Sequence, residues 1–206
     1  RRGKPGVQEA LPGYGWPGIK PVVRREGGAR WAGPMDVLAG LKPGEDGFAE
    51  LLEVIELYEA WIDERGKQAA TLPVQHRAAA NSNVSECRAC AARMRLGLEL
   101  LKSDPQALEA FRLANHAMLL QQMASERAPR YSQFDSKLGL IQFSEPYAPP
   151  SVDSPIRPGQ GTWRAFQIAF LLMCISSAAD PTVEDREAVE LIWFPTGGGK
   201  TEAYLG

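Results

Sequence analysis

A largely apolar run, Val189 to Phe194, leads straight into Pro195-Thr196-Gly197-Gly198-Gly199-Lys200-Thr201, and this junction admits few local folds. A short apolar run ending in a glycine cluster reads as a buried parallel strand turning into a phosphate-binding loop. Three consecutive glycines let the backbone take positive φ angles and bring successive N–H groups close to an anion. Lys200 supplies a flexible charge that reaches β and γ phosphates, and the Thr201 hydroxyl is suited to Mg²⁺. A helix starting near Lys200 presents its unpaired N–H groups to the same anion. The expected ligand is therefore ATP with Mg²⁺. Thr196, Gly197, Gly198, Gly199, Lys200 and Thr201 form the cradle, Thr201 is the metal ligand, and Lys200 and Thr201 carry the catalytic roles. The competing reading is a glycine-rich turn between strand and helix that holds nothing.

The loop departs from the common pattern G-x-x-x-x-G-K-[ST], because Phe194 stands where the first glycine would be. The shorter form Pro-Thr-Gly-x-Gly-Lys-Thr is similar to motif I of superfamily-two helicases and translocases.

Composition bounds the alternatives. With 206 residues, 44% of them hydrophobic, the chain can bury a core, and its length suits one or two domains. The 23 basic and 25 acidic residues leave a net charge of −2, so any nucleic-acid contact must be local. Three cysteines and no apolar N-terminal signal segment suggest a reducing cytoplasm. The longest apolar run, Ile168 to Ile175, is too short for the roughly 30 Å core of a bilayer at about 1.5 Å per helical residue, so no membrane partner is expected. The chain starts at Arg1 and stops at Gly206, just past the loop, which suggests a piece of a longer protein. On that reading residues 1 to 206 by themselves do not turn over ATP, because the acid that activates water lies on a later strand.

Four segments follow from the pattern. Residues 1–45 form a basic arm; 17 Gly or Pro fall within residues 1 to 47 and oppose long helices or strands. Arg1, Arg2, Lys4, Lys20, Arg24, Arg25 and Arg30 are interleaved there with Tyr14, Trp16 and Trp31. Such a mixture suits either a surface for a single nucleic-acid strand or an irregular arm draped on the next domain. Residues 46–123 read as a helical accessory domain. Phe48, Leu51, Leu52, Ile55, Tyr58 and Ile62 share one helix face, with Gly66 as its stop. Glu45 to Glu64 holds eight acids and no Lys or Arg, which makes either a solvated face or a dock for a basic partner, the arm or another subunit. A second helix is expected over Cys87–Lys102 and a third over Pro105–Met123, the latter with a stripe of Ala107, Ala110, Phe111, Ala114, Ala117 and Met118. Ser103-Asp104-Pro105-Gln106 carries the helix-start signals between them. Residues 124–161 are a proline-rich connector in which Leu138 to Phe143 forms a strand or a docked segment, and residues 162–206 begin a second unit.

Cys87, Cys90 and His76 raise the question of a metal. A closed zinc site needs four ligands at paired spacings, and cysteines three apart on a helix are ordinary neighbours on one face, so packing is the expected role. His116 is expected to be hydrogen-bonded in the third helix rather than a catalytic base.

Trp163-Arg164-Ala165-Phe166-Gln167 opens an apolar helix ending near Ala179-Asp180-Pro181. This start resembles the aromatic-Arg-x-x-Gln segment of many superfamily-two helicases, in which the Gln amide both donates to and accepts from an adenine edge. Gln167 is the candidate base reader, 33 residues ahead of Lys200. Gln160 is the competitor, and a plain surface Gln at a helix start is the third reading.

Two blocks carry a closer resemblance. Trp163-Arg164-Ala165-Phe166-Gln167-Ile168-Ala169-Phe170 and Leu191 to Gly206 are similar to the helicase subunit of the DISARM anti-phage defence systems. Arg93-Met94, Gly97, Leu100-Leu101, Ala110-Phe111, Ala114-Asn115 and Ala117-Met118 resemble the region that precedes the motor in that family. Ala165 departs from it, standing where proline is expected. The resemblance implies an α fold followed by the first strand, phosphate loop and helix start of a RecA-like α/β motor. It implies an ATP-driven helicase acting on DNA, as a single strand or junction, beside a second defence subunit. Two rivals are a phosphate-loop ATPase that works as a switch or clamp, and a helical protein-binding module whose nucleotide is regulatory.

Overall fold

The computed structural model describes residues 23–25, 27–125, 130–187, 189–192 and 199–205. Helices dominate them. A two-residue strand β1 (Gly33–Pro34) runs into a short helix α1 (Met35–Leu38), followed by the long helices α2 (Phe48–Thr71), α3 (Val74–Ser103) and α4 (Pro105–Ser125). Strands β2 (Ser132–Asp135) and β3 (Leu140–Phe143) form a hairpin. Strand β4 (Thr162–Trp163) returns antiparallel to β1, pairing Trp163 with Gly33 and Thr162 with Pro34. Helix α5 (Ala165–Ala179), a 3-10 turn at Glu184–Glu187 and helix α6 (Lys200–Leu205) complete the order.

Helix α2 buries Leu51, Val54, Ile55 and Ile62, the face its periodicity predicts, but it does not stop at Gly66. A glycine inside a helix costs only about 1 kcal/mol relative to alanine. Here it also brings α3 close: a Cβ on Gly66 would lie 3.4 Å from the Arg88 guanidinium and 3.8 Å from a Val84 methyl. The helix ends instead where Leu72 precedes Pro73, a position that proline forces into the extended region. Helix α3 starts at once behind that proline, thirteen residues before the expected Cys87. Its first turns, Gln75 to Asn83, carry no apolar stripe, so periodicity was silent there.

The start of α4 falls at Pro105 as expected, although the capping carboxylate is that of Asp104, which accepts from the N–H groups of Gln106 at 2.8 Å and Ala107 at 3.2 Å. The buried stripe of α4 is Phe111, Asn115, Met118, Leu119 and Met123, whereas Ala110 and Ala117 of the expected small-residue stripe face solvent. Larger side chains remove more apolar area from water, so the helix turns them inward.

One core unites these elements: Trp31, Met35 and Leu38 meet Leu51 and Ile55 of α2, Met94 and Leu98 of α3, Leu119 of α4, Trp163, and Ile168 and Leu172 of α5. Trp31 is 1% exposed and so offers no surface for a nucleic-acid base. Tyr14 and Trp16 lie outside the described residues. The acidic face of α2 meets arginines of its own chain. Arg25 donates to Glu53 at 2.6 Å and lies 3.3 Å from Glu50, while Arg95 of α3 donates to both oxygens of Glu59. Of the expectations for that face, the arm is the basic partner at Glu50 and Glu53.

Candidate site at the start of α5 and α6

The site begins with a glycine turn. Gly161 at φ +65° donates its N–H to the Gln122 Oε1 at 2.8 Å and accepts from the Met35 N–H at 2.8 Å, which fixes where β4 starts. Trp163 then enters the core, and its indole N–H donates to the Oδ1 of buried Asn115 at 2.7 Å. Asn115 completes the link by donating to the Phe111 carbonyl at 2.7 Å. Strand β4, directly ahead of α5, is thereby tied to α4 through a buried, hydrogen-bonded polar pair.

Gln167 stands one turn later and is 4% exposed. Its Oε1 accepts from the Arg164 N–H at 2.8 Å, closing the first turn of α5, and its Nε2 donates to the Gly199 carbonyl at 2.7 Å. The amide expected to read a base edge is thus bonded at both ends, with one N–H and one lone pair left for other partners. Gln160 has a structural role: its Nε2 donates to the Gln122 carbonyl at 3.3 Å and its Oε1 accepts from the Arg157 N–H at 3.2 Å.

Gly199 has φ +82°, and a Cβ built on it would lie 2.9 Å from the Gln167 Nε2, 3.3 Å from Glu202 Oε2 and 3.5 Å from the Arg164 guanidinium. Only glycine meets both demands. Helix α6 begins at the next residue, Lys200, as the sequence predicts, and Thr201 occupies its exposed first turn. Ala203 is buried and Tyr204 meets Phe170 of α5 edge-on, with ring centroids 5.4 Å apart. Glu202, unnoticed in the sequence, turns an Oε2 inward that has no hydrogen-bond partner among the described residues. Thr196, Gly197 and Gly198 lie outside the described residues, as do Trp193 and Phe194.

The expected buried strand ahead of the loop is not formed over its described part. Residues 189–192 have no strand assignment, and Val189 is 94% and Leu191 78% exposed. A parallel strand has no hairpin partner of its own and needs neighbours delivered by crossovers. Among the described residues the strand pairs are antiparallel and lie elsewhere.

Among the described residues no group of three or more His, Cys, Asp or Glu could hold a metal ion. Burial pushes the Cys90 and Cys174 thiols up, which leaves them poor nucleophiles. His76 is exposed; His116 borders an open cavity of about 360 Å³ with Arg112, Glu109 and Leu113. No described helix is long and apolar enough to cross a membrane.

No protein-family model matches the chain. It is 34% identical over 154 residues to DISARM protein DrmA of Bacillus paralicheniformis, a match covering 72% of this chain and 12% of that protein. The chain is thus related to a DISARM protein and spans a small part of its relative's length.

Proposed function

We propose that this chain belongs to an ATP-dependent DNA helicase or translocase of a bacterial anti-phage defence system, and that it holds the helical accessory region together with motif I of a RecA-like motor. The observation that carries the reading is the hydrogen bond from Gln167 to Gly199. It joins the aromatic-Arg-x-x-Gln segment to the glycine loop, two features separated by 32 positions and recognised independently in the sequence. The relationship to a DISARM protein supports the biological setting.

The residues present fit a magnesium nucleotide. Gly199, with positive φ and no Cβ, lets the backbone pass close against Gln167 immediately before Lys200 and Thr201, the residues that phosphate oxygens and Mg²⁺ would meet. When bound, the magnesium nucleotide supplies the phosphoryl bond whose cleavage drives motion. Lys200 would offset charge on the β and γ phosphates, Thr201 would offer its hydroxyl to the metal, and Gly197 to Gly199 would donate backbone N–H groups. Gln167 holds the loop's C-terminal end and has one amide N–H left for a base. DNA is the proposed track, and a second defence subunit the proposed partner. The rival reading of α2 as an acidic dock for a foreign basic protein is weakened, because Arg25 and Arg95 already occupy Glu50, Glu53 and Glu59 on that face.

The test is ATP turnover by the intact protein with and without single- or double-stranded DNA. DNA-stimulated hydrolysis supports a translocating motor; hydrolysis indifferent to DNA favours a switch or clamp.

A further inference from the structure

We propose that the ion pair between Arg93 and Glu190 braces the segment leading into the phosphate loop, making Arg93 of α3 a positioning residue for nucleotide binding; this rests on the phosphate-loop reading above. Glu190 interrupts an otherwise largely apolar run. The Glu190 side chain is largely withdrawn from water, where a carboxylate is costly unless it is paired.

The partner is in place. Arg93 Nη1 lies 2.5 Å from Glu190 Oε1, with the two side chains only 21% and 26% exposed. The Nη2 of the same guanidinium donates to the Met173 carbonyl of α5 at 3.2 Å. One planar group therefore joins α3, α5 and the segment ahead of the loop, a geometry that guanidinium serves better than ammonium.

The neighbouring residues show what the pair does. Val189 and Leu191 point into solvent, while Glu190 and Ile192 turn toward the protein. No strand ladder forms over residues 189–192, so the ion pair anchors the approach to the loop by side chains instead. Beyond the loop, Gln167 anchors Gly199. Both anchors belong to or touch α5, so Glu190 and Gly199, the described residues on either side of the loop, are tied to one helix. Loosening either point lowers the fraction of molecules in the binding-competent arrangement, and the apparent dissociation constant rises in proportion.

The experiment titrates the intact protein with a fluorescent non-hydrolysable ATP analogue and Mg²⁺, and follows amide hydrogen exchange over residues 189–205. Arg93→Glu and Glu190→Arg are each expected to weaken binding about tenfold and to speed exchange in the segment; the double reversal R93E/E190R is expected to recover affinity to within about threefold. Arg93→Lys keeps the charge but loses the second contact and is expected to fall between. Glu190→Gln, on an exposed segment, covers the case in which Arg93→Glu disturbs the helical core. Single variants that bind as the wild type while Lys200→Ala abolishes binding would overturn the brace and leave the loop reading standing. So would a double reversal no better than its parents. If Lys200→Ala binds normally, the loop reading itself fails and the brace falls with it.

Discussion

Gly97 is the residue on which the packing of α5 turns. A Cβ at that position would lie 2.0 Å from the Leu172 carbonyl oxygen, which is backbone and cannot step aside as a flexible side chain does. Overpacking in a tight core costs about 1–3 kcal/mol and more where backbone must move. Gly97→Ala is therefore expected to lower unfolding stability by about 3 kcal/mol or more, read from the urea midpoint at constant slope. A wild-type midpoint would refute the close approach. Asn115→Leu strands the buried Trp163 indole N–H, whose acceptor lies 2.7 Å away in the native chain. The expected loss is about 1–3 kcal/mol, measured the same way. The sequence marked Gly97, Asn115 and Gln167 through resemblance alone, because spacing says nothing about which carbonyl faces a glycine across a helix pair. Glu190 was readable as an anomaly in its run, but its partner lies 97 positions earlier and only folding brings them together.

The helices repeat this contrast. Two boundaries set by proline were legible, Pro105 opening α4 and Asp180 following the last residue of α5 just before Pro181, whereas the one at Pro73 between α2 and α3 was missed. The extents of α2 and α3 were not legible, because Gly66 stays helical where Val84 and Arg88 of α3 lie beside it, and the exposed first turns of α3 carry no apolar stripe. In the β2–β3 hairpin, Phe134 faces Ile141 and Ser132 faces Phe143, placing Phe134, Ile141 and Phe143 on one side and Leu140 on the other. The second strand was anticipated, whereas Ser132–Asp135 was not, since its residues are mostly polar. The pairing of arm and α2 gives a prediction in pH. A hydrogen bond from Arg25 holds the Glu53 carboxyl below its usual value, and the guanidinium charge adds to this. A depressed folded-state value means that the pair stabilises above the unfolded glutamate value, about 4.3, and ceases to do so as pH falls through the folded value. With the side chains 38% and 34% exposed, solvent screening limits the contribution to about 0.5 kcal/mol. Arg25→Gln is expected to lower the thermal midpoint slightly at pH 7 and by less at acid pH, as the folded carboxyl takes up its proton. An equal deficit at both would show that Arg25 acts through packing instead.

Across the whole molecule, one core carries α2, α3, α4 and α5 together. The start of α6 at Lys200 was legible because glycines followed by Lys-Thr mark a helix start locally. Residues 189–192 were misjudged, because a parallel strand depends on neighbours that no local pattern encodes. Gly199→Ala tests how the loop is joined to the body: it forces a Cβ against Gln167 at a positive φ, and weaker nucleotide binding with an unchanged helical far-UV signal is expected. Normal binding by that variant would argue that the Gln167 contact plays no part in shaping the loop. The central claim concerns the anion the loop holds. Calorimetric titration of the intact protein with Mg·ATP, beside its Lys200→Ala variant, tests it directly. Saturable, magnesium-dependent binding that weakens about a hundredfold or more in the variant is the expected result. No binding by the wild type, or equal binding by both, would contradict the account.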